Sequence, residues 1–179
     1  EAFCTAREVG FACINMDLIA GLPQDSVEGF RDSLEEVLAL RPENITVHTL
    51  AMKKGSRLME EGGALPSSEE TGRMVNLSLE ALEGAGYRPY YLYRQKYMSG
   101  GLENVSWCLP GTENHYNIIM MEELQSVLSL GAGGVTKLVD RSSRRIVRLT
   151  NPKYPHDYLA MSAKVLEQKD EILRFYREV

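Results

Sequence analysis

No stretch of the chain approaches the ~18 consecutive apolar residues of a membrane-spanning helix, and no signal peptide is expected at its start. Basic residues are too few for a nucleic-acid footprint: 20 Lys and Arg stand against 25 Asp and Glu, a formal charge of −5. Cysteine is sparse. Cys4, Cys13 and Cys108 form an odd, scattered set in which no pair has metal-ligand spacing, so neither a disulfide framework nor a zinc site is expected and no metal ligand is assigned. Free thiols in a reducing, cytoplasmic setting follow, each expected to be buried as a small hydrophobe. Internal repeats, low-complexity tracts and linkers are missing as well. Glu1-Ala2-Phe3-Cys4 starts in mid-pattern with no initiating Met, as expected of a piece of a longer polypeptide.

What is present is ordinary for a globular protein: 179 residues, 44% hydrophobic and 25% charged. The organising stretch is Ile14-Asn15-Met16-Asp17-Leu18-Ile19-Ala20-Gly21-Leu22-Pro23-Gln24, read as a buried strand running into a tight turn. Alternation puts Asn15, Asp17 and Ile19 on one face and Met16, Leu18 and Ala20 on the other. A carboxylate in a strand interior is costly unless paired or bound. Asp17 therefore either braces a neighbouring loop or meets a ligand, and the carboxyl end of a parallel strand is where α/β proteins keep ligands.

Around this stretch the pattern predicts a helix closing at Gly10 and, after the turn, a helix capped by Asp25 or Ser26 with Phe30, Leu34, Val37 and Leu38 facing a sheet. A second strand is expected over 44–50, a loop over 52–66, and a helix opened by a Ser67/Glu70 capping box. Strand, helix, strand, helix is the grammar of a parallel sheet with helices outside. From Tyr87 the character changes. Tyr87–Tyr93 reads as an aromatic edge strand, because Pro89 cannot donate; residues 98–115 read as mostly loop, 120–128 as a short helix and 146–149 as a brief strand. The chain should end in a helix with Leu159, Ala163 and Leu166 on one face.

Other motifs carry less. Gly131-Ala132-Gly133-Gly134 fails both the P-loop and the dinucleotide spacing and is best taken as a positive-φ turn, with close backbone approach to a ligand as the alternative. His48, His115 and His156 share no ligand spacing; His48 on a strand reads as a hydrogen-bonded core residue. Lys137, Arg141, Arg144, Arg145, Arg148 and Lys153, with Asp140, suit a solvated hairpin or a site for a polycarboxylate. Tyr90, Tyr91, Tyr93, Arg94 and Gln95 either pack in the core or line a pocket for a flat ring.

Asn15–Gln24 closely resembles a signature of radical S-adenosylmethionine enzymes of the oxygen-independent coproporphyrinogen III oxidase group, and the match runs through Phe30, Leu34 and Pro42 to Ala51 without a gap. Gly86–Gln95 with Glu103-Asn104-Val105 resembles the coproporphyrinogen dehydrogenase subgroup, and Leu130–Lys137 resembles the group's glycine-bearing segment. The resemblance implies an α/β fold: residues 1–86 as the last βα units of a partial (β/α) barrel, then 87–179 as a smaller α+β substrate-side region. It implies S-adenosylmethionine as cofactor, with Asp17 contacting it, Ala51 touching it through backbone, and Val135 as an apolar neighbour. It implies a porphyrinogen substrate whose propionates are oxidatively decarboxylated, coproporphyrinogen III giving protoporphyrinogen IX. The group's [4Fe–4S] cluster is held by a CxxxCxxC-type motif that none of the three cysteines here fits, so the chain alone is expected to be inactive. A haem-transfer relative of the same fold and a non-catalytic small-molecule-binding domain are the competing readings.

Overall fold

The computed structural model describes residues 1–51, 64–93 and 102–177. These fall into two compact units, Glu1–Asn114 and His115–Val179.

In the first unit α1 (Ala2–Val9) ends at Gly10, whose left-handed φ of 99° makes the expected cap. Then come β1 (Asn15–Ala20), α2 (Val27–Leu40) and β2 (Asn44–Thr49). The Ser26 hydroxyl accepts from the Gly29 N–H and starts α2, and Arg41, at φ 52°, stops it before Pro42. The reciprocal Ser67/Glu70 capping box opens α3 (Ser68–Gly84) as expected. Phe30, Leu34 and Val37 of α2 and Met74 and Leu82 of α3 pack with Ala20, Ile45, Val47 and Trp107 into one core. Both helices therefore cover one face of the sheet.

The sheet holds the expected parallel pair and extends it with antiparallel strands from the region after Tyr87. Its order is β1-β2-β4-β3, where β3 is Arg88–Tyr93 and β4 is Asn104–Cys108. β1 and β2 are parallel, but β4 runs antiparallel to both β2 and β3. The described sheet is thus mixed and open. β4 lies in a stretch read as loop from its Gly, Asn and Pro content; it is a strand because Asn104, Ser106, Trp107 and Cys108 are all buried between two neighbours. The aromatic β3 is at an edge, and its register shifts between Pro89 and Tyr91, where the missing N–H falls. β3 and β4 hydrogen-bond into the first unit's sheet, and that compact unit runs to Asn114.

The second unit holds α4 (His115–Met121), the hairpin β5 (Val135–Asp140) and β6 (Arg145–Thr150), α5 (Pro155–Ala160) and α6 (Ser162–Arg177). The helix expected over 120–128 lies earlier, and that expected at the chain's end is broken at Met161. Its expected apolar face is not a core here: Leu159 and Leu166 are exposed, and the buried cluster is Leu138, Leu149 and Phe175. Gly131 and Gly133 have φ of 90° and 70°, the turn expected of that glycine run. In the hairpin turn the Ser142 and Ser143 hydroxyls donate to Asp140, and hydrogen bonds from Ser143 and then Ser142 hold its carboxyl down to about 2. Among the described residues no helix is long and apolar enough to cross a membrane.

Candidate functional site

Because β1 and β2 are parallel, their carboxyl ends open side by side. Gly21 ends β1 at φ 87°, and a Cβ there would stand 3.1 Å from Thr71 Oγ1 of α3, so only glycine lets the turn pack down on that helix. The face away from the helices is polar. Register pairs Asp17 with Thr46, Ile19 with His48, Thr46 with Ser106, Tyr91 with Ser106 and Tyr93 with Asn104. Paired residues share a face, so all four strands contribute polar groups to it.

Those groups form a directed chain. An ionised carboxylate only accepts, so the Asn15 amide nitrogen faces Asp17 and donates to Oδ1 at 2.5 Å. The Asn15 oxygen then accepts from Thr46 at 3.1 Å, which leaves Ser106 to donate to Thr46 at 2.8 Å. On the other side, Asp17 Oδ2 is 3.6 Å from His48 Nε2, longer than a formed hydrogen bond. The Tyr93 hydroxyl is 3.2 Å from His48 Nδ1. With the phenol donating to Nδ1, the neutral imidazole carries its proton on Nε2, directed at Asp17. This arrangement, the His48 imidazole first and the Asn15 amide after it, holds the Asp17 carboxyl below the usual carboxylate range despite partial burial.

A cleft of about 340 Å³ opens in front, lined by Asp17, Ile19, His48, Thr49, Leu50, Ala51, Tyr93 and Asn104. Asn104 is fixed by accepting the Thr49 N–H at 2.8 Å. Thr49 pairs with Ala20, on the helix-covered face, and its Oγ1 is buried with no hydrogen-bond partner among the described residues. The cleft is of ligand size, with a carboxylate acceptor, an imidazole, a phenol and apolar walls.

Two of the three site residues expected from sequence, Asp17 and Ala51, border this cleft. Val135 begins β5 in the second unit and is exposed. The expectation of a buried Asp17 is corrected, since 57% of its side chain is accessible. β1 is an edge of the described sheet and helices cover only its other face, so the carboxylate meets solvent and the cleft. His48, expected as a core residue, lines the cleft. Its signal was the alternation Thr46, His48 beside Asn15, Asp17. Asn104 was hidden in a stretch read as loop. Tyr93 lines the cleft with Tyr91 stacked on it, and none of Tyr90, Tyr91 and Tyr93 is fully buried. Arg94 and Gln95 lie outside the described residues.

The remaining candidates resolve locally. Lys137 and Arg148 converge on Glu123 at 3.2 and 2.7 Å, which favours the hairpin over a polycarboxylate site. Cys108 is a buried thiol raised to about 11 by burial, but Cys4 and Cys13 are exposed, against expectation. No three His, Cys, Asp or Glu side chains gather as a metal site among the described residues. The chain's cysteines do not fit an iron–sulfur cluster.

No family model matches the chain. Over 181 aligned residues, covering 100% of the chain, it is 39% identical to the oxygen-independent coproporphyrinogen-III oxidase-like protein HemZ of Bacillus subtilis. It is 37% identical over 49% of its length to the oxygen-independent coproporphyrinogen III oxidase of Helicobacter pylori, and 28% identical over 58% to the heme chaperone HemW of Bacillus subtilis. These alignments span 36%, 20% and 28% of the respective relatives. Among solved structures, coproporphyrinogen III oxidase (HemN) from Escherichia coli, a radical SAM enzyme, superposes with a TM-score of 0.54 at 20% identity, over 75% of this chain and 31% of that one. The chain is homologous to the oxygen-independent coproporphyrinogen III oxidase and HemZ group of radical SAM proteins, of whose length it spans about a third or less.

Proposed function

We propose that the cleft at the carboxyl ends of β1 and β2 takes S-adenosylmethionine, and that the chain is part of an oxidoreductase that decarboxylates coproporphyrinogen III oxidatively to protoporphyrinogen IX. One observation carries the reading: Asp17 and Ala51, far apart in sequence, border one cleft into which a carboxylate oxygen is turned. A ribose fits that oxygen, because a carboxylate accepts strong charge-assisted bonds from hydroxyls. The small Ala51 lets a ligand come close to backbone. When bound, S-adenosylmethionine supplies the adenosyl group for hydrogen abstraction. This chain's part is to hold and orient it, and no step is assigned to a cluster for which its cysteines offer no site. Val135 is proposed as an apolar neighbour of the same cofactor on resemblance alone.

The test is Asp17→Asn in the full-length protein. Loss of a charged hydrogen-bond acceptor is expected to cost about 1.5–3 kcal/mol of binding, at least roughly tenfold in S-adenosylmethionine affinity by titration calorimetry, with an unchanged circular dichroism spectrum. Unchanged affinity would remove Asp17 from the site. Decarboxylation of coproporphyrinogen III with release of 5′-deoxyadenosine supports the enzyme; haem binding without turnover would select the transfer protein instead.

A further inference from the structure

A separate cavity lies within the second unit. It measures about 350 Å³ and is walled by the β5–β6 hairpin, the segment leading into it, and helices α5 and α6. The α6 wall is Val165, Gln168, Lys169, Ile172 and Leu173. That is the i, i+3, i+4, i+7, i+8 spacing with which a helix faces a core, but the core here is small. Leu138, Leu149 and Phe175 are its buried members, and Ile172 packs against them. Leu173 and Leu128, which line the cavity, stay exposed. Apolar surface left open around a ligand-sized space is a mark of a binding site.

Several polar groups of the lining are already engaged. Gln168 donates to the Thr150 carbonyl at 2.9 Å and Asn151 to the Gly131 carbonyl at 2.8 Å, while Thr136 Oγ1 accepts the Ser129 N–H at 3.0 Å. The Tyr158 hydroxyl and the Lys169 ammonium are not: neither side chain has a hydrogen bond or ion pair among the described residues. Lys169 is the one charged residue of the lining. Its own helix leaves that charge unanswered, because the residues three and four positions away are Val165, Leu166, Ile172 and Leu173. The apolar stripe from Val165 to Leu173 runs about 12 Å along the helix, the reach of a medium-length alkyl chain. We propose that this cavity binds an unbranched apolar monocarboxylate, its chain against Leu149, Val165 and Ile172 and its carboxylate accepting from Lys169 and Tyr158. A polycarboxylate would bring several charges to a single cation, into a space at the small end of the roughly 300–1,000 Å³ of ligand sites. Nothing in this site depends on S-adenosylmethionine, so its test is independent of the Asp17 cleft.

The experiment titrates the full-length protein with hexanoate, octanoate and decanoate by calorimetry, below their micelle-forming concentrations. Affinity is expected to rise at least roughly fivefold with each added pair of methylenes, because each is carried from water onto apolar side chains. Val165→Trp fills the cavity and is expected to weaken decanoate binding at least roughly tenfold, the loss of two or more buried methylenes. Lys169→Gln is expected to weaken decanoate roughly threefold, as suits an ion pair at an exposed mouth, and to leave decanol binding unchanged. In wild type, decanoate should shift the methyl resonances of Leu149, Val165 and Ile172. No saturable decanoate binding overturns the proposal, as does a series that does not rise with chain length or a Val165→Trp protein that binds like wild type. Equal losses of decanoate and decanol in Lys169→Gln overturn the carboxylate assignment. If Val165→Trp does not fold, the wild-type methyl shifts decide: shifts confined to residues outside the cavity overturn the site. Contacts from another segment of the full-length polypeptide to those methyls, with no decanoate bound, would mean that the protein fills the space itself and would overturn it too.

Discussion

Asp17 keeps one oxygen for its own chain and turns the other outward. Oδ1 is taken by Asn15 at 2.5 Å, whereas Oδ2 stands 3.6 Å from His48 Nε2 and the carboxyl borders the cleft. A purely structural aspartate would have both oxygens engaged, as Asp140 does in the β5–β6 turn. The comparison separates two carboxyls that look alike in sequence. Tyr87 is a tyrosine of the opposite kind from Tyr93. It is 2% exposed and its hydroxyl donates to the Pro42 carbonyl at 2.6 Å, locking the start of β3 to the entrance of β2. Tyr87→Phe leaves that carbonyl buried and unsatisfied, an expected loss of about 1–3 kcal/mol. It should appear as a lower melting temperature, with ligand affinity unchanged.

The joint between α1 and the sheet rests on one carboxylate. Glu43, just before β2, accepts from Arg7 of α1 at 2.5 and 2.6 Å and from the Ile14 N–H, ahead of β1, at 2.9 Å. Burial pushes its carboxyl up, but the Arg7 and Ile14 bonds outweigh that and leave it lowered from 4.5. A carboxyl lowered in the folded state stabilises above its unfolded value and loses that contribution as pH falls through the folded one. Glu43→Gln is therefore expected to cost about 1–2 kcal/mol near neutrality. The difference from wild type should shrink below pH 4.5, read as converging denaturant midpoints. If the gap stayed constant with pH, the ion pair would not be its source.

At the scale of the whole molecule, the described residues supply the cleft at Asp17 and His48 but no cluster of three thiolates. The chain by itself is expected to release no 5′-deoxyadenosine under reducing conditions, by chromatography, even where it binds S-adenosylmethionine. Release above background would mean that it holds a redox centre unaided.

Local order was legible in the sequence because its signals are local. The Gly10 cap, the Ser26 cap, the Ser67/Glu70 box and the α2 stripe of Phe30, Leu34 and Val37 each depend on residues within a turn or two. Asp17 stood out for the same reason, as a charge amid apolar alternation. What pairs with what is not local. That β4 inserts antiparallel between β2 and β3, that His48 falls between Asp17 and Tyr93, and that Leu159 and Leu166 find no core follow from register and packing across distant segments. Sequence thus determined the elements and the suspect carboxylate. Tertiary structure decided which way the carboxylate faces and what stands beside it, because a strand's side chains gain meaning only once its neighbours fix which face is covered.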